Sequence, residues 1–200
     1  LPNPIVGVRL RLSTYGGVKD EEIRRIDTEF EKLREMLGDA IYGEGEDTLQ
    51  IVIGKHLKNK GMTLSAAESC TGGKIASLLT SVAGASQYFY GSVTSYDNSI
   101  KENILGVPHE IIAQHGAVSR ECVEAMAKGV NRIMNTDFAV ATSGIAGPGG
   151  GTPEKPVGTA WLAVAFRDKE TGKVDVVSKK VAFNSSREVN IDRFASNALN

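Results

Sequence analysis

Met62-Thr63-Leu64-Ser65-Ala66-Ala67-Glu68-Ser69-Cys70-Thr71-Gly72-Gly73 runs from a short apolar stretch into a glycine pair. The apolar part reads as a strand over 62–67. The glycines mark a sharp turn, and a helix is expected over about 71–81. The same alternation continues downstream. A strand is predicted at about 88–96, short helices at 98–105 and 109–114, and a Ser119-capped helix to about 134. Strands follow at 138–143, 157–166 and 174–183, with a final helix at about 186–199. The last two strands flank the turn Asp168-Lys169-Glu170-Thr171-Gly172 and form a hairpin. The expected fold is therefore α/β, a layered architecture with a mixed sheet flanked by helices.

Upstream, the pattern is different. Residues 5–12 alternate Val8, Leu10 and Leu12 with Arg9 and Arg11, the pattern of a strand with one wet face. From Asp20, the positions Ile23, Ile26, Phe30, Leu33 and Leu37 recur at helical spacing and Gly38 stops them. One strand and one helix cannot enclose a core. Residues 1–44 thus read as the tail of a preceding domain, with Gly43–Asp47 as linker, and the chain, which begins at Leu1, reads as part of something longer. The second unit, 45–200, opens with Asp47 as N-cap of a helix through Leu57 that Gly61 ends.

Composition narrows the function classes. With 23 Lys+Arg against 24 Asp+Glu and no block of either sign, the chain lacks the basic footprint of a nucleic-acid binder. No apolar run approaches the ~20 residues of a membrane span. Two cysteines, Cys70 and Cys122, without a secretory apolar segment point to a reducing, cytoplasmic setting. A small, locally read ligand fits best.

Three loops at strand ends carry the candidate chemistry: 68–73, 96–101 and the glycine-rich 143–158. Nucleotide motifs fail there. The P-loop pattern around Gly73-Lys74 meets Glu68 and Ile75 where glycine and a hydroxyl are required, and a G-x-G-x-x-G pattern near 147–154 meets Thr152 or Glu154. None of His56, His109 and His115 has a partner at metal-ligand spacing, and His115 reads as a helix-ending residue. No metal and no cofactor is expected. Ser69 and Cys70 are both candidate nucleophiles, each with a packing reading beside the chemical one. Lys101 in a first helical turn sits at the unfavourable end of the dipole, and an exposed surface lysine is the alternative. A serine activated by a desolvated lysine, with Tyr96 as relay, is a hydrolase solution that needs no histidine.

Five motifs occur in order: Ala67–Gly73, Tyr96-Asp97-Asn98-x-x-Lys101, Gln114–Ser119, Ser143–Pro148 and Lys155–Thr159. From about residue 47 onward the chain resembles the CinA C-terminal domain family, the nicotinamide-mononucleotide deamidases. Residues 1–44 resemble the end of the KH-like middle domain of longer members. The resemblance implies hydrolysis of the nicotinamide carboxamide to nicotinate mononucleotide and ammonia, without a metal. It implies Ser69 as nucleophile, Lys101 as its base and Tyr96 beside them. It also implies substrate contacts from Thr71, Gly72, Gly73, Asn98, Ser143, Gly144, Gly147 and Arg187, backbone N–H groups near 71–73 for the oxyanion, and a homodimer. Members often carry Gly-Asp before the arginine, where this chain has Asn184-Ser185-Ser186-Arg187. The competing class is a non-catalytic mononucleotide-binding or adaptor module.

Overall fold

The computed structural model describes residues 7–200. Its centre is a five-stranded sheet made of β1 (Leu64–Glu68), β2 (Phe89–Thr94), β3 (Phe138–Gly144), β4 (Thr159–Arg167) and β5 (Val174–Ala182), in the spatial order β2-β1-β3-β4-β5. β1 runs parallel to both neighbours, while β3–β4 and β4–β5 are antiparallel, so the sheet is mixed. β1 is buried along its whole length, as expected of a central strand covered on both faces.

The period-two alternation of β3 sorts the core. Val140 faces a layer containing Ile75, Leu79, Phe194 and Ala195, from α3 (Lys74–Thr80) and α7 (Arg187–Leu199), with Ile53 and Leu57 of α2 (Leu49–Lys60) packed against it. Ala139 and Ala141 face the other way, onto Val123, Met126, Ala127 and Val130 of α6 (Arg120–Met134). Alanines dominate the sheet on that side, and their small side chains let α6 lie close. Gly129 serves the same purpose: a Cβ there would stand 2.1 Å from the Leu105 carbonyl oxygen.

The chain leaves β1 through α3 on one face and travels from β2 to β3 through α4 (Asn98–Asn103), α5 (His109–His115) and α6, the last of which covers the opposite face. A crevice therefore opens beyond the carboxyl ends of β1, β2 and β3, because the helices that follow β1 and β2 cover opposite faces.

Two local expectations need correction. Residues 8–12 form no strand; Ile5 and Val6 of that expected strand lie outside the described residues. Alternation alone cannot hold a strand that has no sheet to join, and Val8 and Leu10 are 68% and 52% exposed. Asp47 does not cap α2: Thr48 occupies that position without a side-chain bond, and the Asp47 carboxylate accepts from Lys55 Nζ at 2.6 Å. Gly61 does end the helix, in the left-handed conformation at φ 58°.

α1 (Lys19–Leu37) buries none of its residues and is tied to the rest of its segment by exposed ion pairs such as Arg34–Glu44 at 2.8 Å. Exposed pairs of this kind contribute ~0–1 kcal/mol each. Removal of residues 1–44 is accordingly expected to change the unfolding free energy of the remainder by no more than about 1 kcal/mol in a urea titration. A loss several times larger would show that the segment is part of the core.

Candidate active site

Ser69 stands one residue past the end of β1. Its N–H donates to the Thr142 carbonyl at 3.0 Å, extending the β1–β3 ladder by one step, and the chain then turns back. Gly72 and Gly73, at φ 59° and 103°, make the turn, and the Gly72 N–H donates to the Ser69 carbonyl at 3.2 Å. Glu68 fixes the far side of this elbow. Its fully buried carboxylate accepts from the N–H groups of Gly73 (3.0 Å), Ile75 (3.0 Å) and Ala76 (2.9 Å) and from Ser92 Oγ (3.2 Å). It satisfies the otherwise unpaired donors at the start of α3, and its charge complements that end of the helix. This role of Glu68 is not legible in the sequence, because a strand-terminal acid reaching past a glycine pair has no fixed spacing. Glu68→Gln keeps the shape but replaces one acceptor oxygen by an NH2 that faces backbone donors. It is expected to cost about 2–4 kcal/mol in denaturant titration. A cost below ~0.5 kcal/mol would mean that the elbow holds without the carboxylate.

Lys101 enters from the next strand end. α4 spans only Asn98–Asn103, so Lys101 belongs to its last turn rather than to a first turn, and it is 1% exposed rather than on the surface. Its Nζ donates to the carbonyls of Ser95 at 2.7 Å and Tyr96 at 3.3 Å. Burial lowers its pKa from the ordinary lysine value. The opposing influences are the charges that Cys122, Asp97 and Cys70 can carry. Two of these fade at neutral pH, because burial pushes the Cys122 thiol up to about 11 and the Cys70 thiol up to about 12.

Ser69, Tyr96, Asn98, Lys101, Ser143, Gly144, Gly147 and Arg187 all line one cleft of about 290 Å³. Ile145, Ala146, Gly149, Gly150, Cys70 and the apolar Ala117 and Val118 complete its wall. The last two come from the Gln114–Ser119 motif, to which the sequence reading gave no role at the site. Ser143 Oγ donates to the Ala117 carbonyl at 2.7 Å, so that hydroxyl shapes the wall. Thr71, Gly72 and Gly73 do not reach the cleft. Thr71 Oγ1 is bonded to Thr142 Oγ1 at 2.7 Å, and the N–H groups of both glycines are taken by Ser69 and Glu68. A separate depression of about 320 Å³ lies between residues 12–14 and α1, away from all of these groups.

Arg187 spans the cleft mouth. Its Nη1 donates to the Gly147 carbonyl at 2.7 Å and its Nη2 to Tyr96 Oη at 2.9 Å, so the phenol oxygen accepts and its own hydrogen stays free. Ser186 caps α7 with a bond from the Val189 N–H at 3.5 Å, a role that serine and aspartate share at this position. The lining contains two basic side chains, Lys101 and Arg187, and no acidic one. None of the three histidines contributes to it. Among the described residues no group of three His, Cys, Asp or Glu side chains is placed to hold a metal ion, and no helix is long and apolar enough to cross a membrane.

Comparison with known proteins follows the same outline. A family model described as the CinA C-terminal domain matches residues 46–200. A CinA-like protein of Dictyoglomus thermophilum is 48% identical over 158 residues, 79% of this chain and 38% of the relative. One of Cytophaga hutchinsonii is 43% identical over 193 residues, 96% of this chain and 45% of the relative, so this chain spans less than half the length of these relatives. Among solved structures, the competence/damage inducible protein CihA of Agrobacterium tumefaciens aligns at a TM-score of 0.70 with 38% identity, covering 76% of this chain and 89% of that one. The competence damage-inducible protein A of Klebsiella pneumoniae aligns at 0.69 with 34% identity, over 76% of this chain and 90% of that one. With its sheet, its cleft and its motifs all in the part that these proteins share, the chain belongs to the CinA C-terminal domain family.

Proposed function

We propose that this cleft hydrolyses the carboxamide of nicotinamide mononucleotide, giving nicotinate mononucleotide and ammonia, with Ser69 as nucleophile, Lys101 as its base and Tyr96 as proton donor. The observation that carries the reading is the buried setting of Lys101. A neutral amine has two N–H donors and one lone pair. The carbonyls of Ser95 and Tyr96 take both donors, which leaves the lone pair for a proton, and burial favours the neutral form that has it.

The steps balance on that basis. Ser69 Oγ forms a bond to the amide carbon while its proton passes to Lys101 Nζ. The carbonyl oxygen becomes an oxyanion, held by backbone N–H at the elbow. Those of Gly72 and Gly73 are already committed and Thr71 does not line the cleft, so the Cys70 N–H is the elbow donor assigned here. As the C–N bond breaks, ammonia departs with a proton delivered from Lys101 through Tyr96. Water then attacks the acyl-serine, its proton returns by way of Lys101, and Ser69 is released. An acid-free lining with Arg187 at its mouth supports an anionic substrate, and Asn98, Gly144 and Gly147 are assigned to hold it. The reading includes a cytoplasmic setting, supported by two free cysteines, and a homodimer.

A binding or adaptor role without catalysis has one observation in its favour, the α1 helix with no buried residue. Incubation with nicotinamide mononucleotide separates the two readings. The enzyme releases ammonia and nicotinate mononucleotide in equal amounts, whereas binding without ammonia release would leave the adaptor.

A further inference from the structure

Asn190, in the first turns of α7, lies outside the lining of the cleft and is fully buried. Its Nδ2 donates to two carbonyls, Ala146 at 3.0 Å and Ser185 at 3.0 Å. The first belongs to the glycine-rich loop at the end of β3, next to Gly147. The second belongs to the turn that leads into Arg187. One amide thus joins the loop that receives the Arg187 guanidinium, through the Gly147 carbonyl, to the backbone that presents it.

The chemistry of the position calls for this residue type. Two carbonyl acceptors need two N–H donors from one short side chain, which an asparagine amide supplies. The reverse amide orientation would set Oδ1 against both carbonyls, so the orientation is fixed by its partners. Oδ1 is left buried without a partner, a cost that a purely space-filling residue would avoid. Aspartate, nearly the same in shape, would face both carbonyls with a carboxylate.

We propose that Asn190 is a positioning residue for anion recognition: by cross-linking the 144–150 loop to the Ser185 turn, it aims the Arg187 guanidinium into the cleft mouth, where its remaining donors take the phosphate of a mononucleotide. Nη1 and Nη2 have each spent one hydrogen, and three of the five N–H donors of a guanidinium remain. This deepens the mononucleotide reading and rests on it. Asn190 touches no substrate; it acts through Arg187.

The test is equilibrium binding by calorimetry in a Ser69→Ala background, which removes turnover, with nicotinamide mononucleotide and nicotinamide riboside as ligands that differ only in the phosphate. The parent is expected to prefer the mononucleotide by at least about tenfold. Adding Asn190→Ala is expected to bring that preference within about threefold while riboside affinity stays within about threefold of the parent. Adding Asn190→Ala to Arg187→Ala is expected to change the preference no further. If Asn190→Ala does not fold, Asn190→Ser, which keeps one donor, decides with an intermediate preference. An unchanged preference in a folded variant, or riboside affinity falling as far as mononucleotide affinity, would overturn the inference by making Asn190 merely structural. A parent with no preference would remove the phosphate role of Arg187 and this inference with it, leaving the hydrolytic reading to the ammonia assay. A parent that binds neither ligand would overturn both.

Discussion

Ser69→Ala is expected to lower ammonia release from nicotinamide mononucleotide by at least ~10²-fold, while Cys70→Ala stays within about threefold of the parent. The two side chains are neighbours at the same elbow and both line the cleft, so position does not separate them. Protonation does. Burial holds the Cys70 thiol at about 12, so at neutral pH only about one molecule in ~10⁵ carries the thiolate that would attack. Ser69 needs no ionisation in advance, because its proton leaves as the bond forms and Lys101 stands in the same cleft to take it. Cys70 is also packed in the core between the sheet and α3, so its alanine variant is expected to melt earlier, and activity must be compared at a temperature where both variants are folded. A Ser69→Ala enzyme that keeps its turnover, beside a Cys70→Ala enzyme that loses it, would move the nucleophile to the thiol against its protonation state.

The layered order of strands and helices is legible from residue 62 onward because each element there has a sheet to join, so local periodicity and tertiary packing agree. Residues 8–12 have the same kind of local pattern and no partner, and no strand forms. Caps show a similar split. Ser119 caps α6 as expected, accepting from the Cys122 N–H at 3.2 Å while its own hydrogen goes to the Gly116 carbonyl at 2.7 Å. Asp47 is drawn instead to Lys55, nearly two helical turns into α2. At the site, the motifs hold Ser69, Tyr96 and Lys101, the family resemblance adds Arg187, and all four line one cleft. What the sequence hid was the direction of backbone groups. Gly72 and Gly73 look like an oxyanion cradle in a string of letters, yet their N–H groups point at Ser69 and Glu68. For Lys101 the sequence leaves a surface lysine open beside a desolvated base, because the carbonyls that hold it are backbone atoms with no signature in residue type.

Lys101→Arg is expected to be nearly as damaging as Lys101→Ala, each lowering turnover by at least ~10²-fold, even though the arginine keeps the positive charge. A base must be neutral to accept the Ser69 proton. An ordinary lysine, at ~10.4, is neutral in only about one molecule in ~10³ at neutral pH, whereas a guanidinium is never usefully neutral. Burial shifts Lys101 below that ordinary value, which sets the sign of the pH dependence. As pH falls through the folded-state pKa the amine gains a proton and the rate drops, and as pH rises through it the rate climbs to a plateau. Stability follows the same direction. Between the folded pKa and ~10.4 the unfolded chain holds a proton at this site that the folded chain does not, so unfolding free energy rises with pH there. Below the folded pKa both states are protonated and this contribution to the slope vanishes. The acidic limb of the parent's pH–rate profile should therefore be absent from whatever residual activity Lys101→Ala retains, and a small amine added to that variant should restore part of the rate as the free base. An arginine variant turning over within about threefold of the parent would reduce Lys101 to a fixed charge, and the proton acceptor for Ser69 would then have to be another group lining the same cleft.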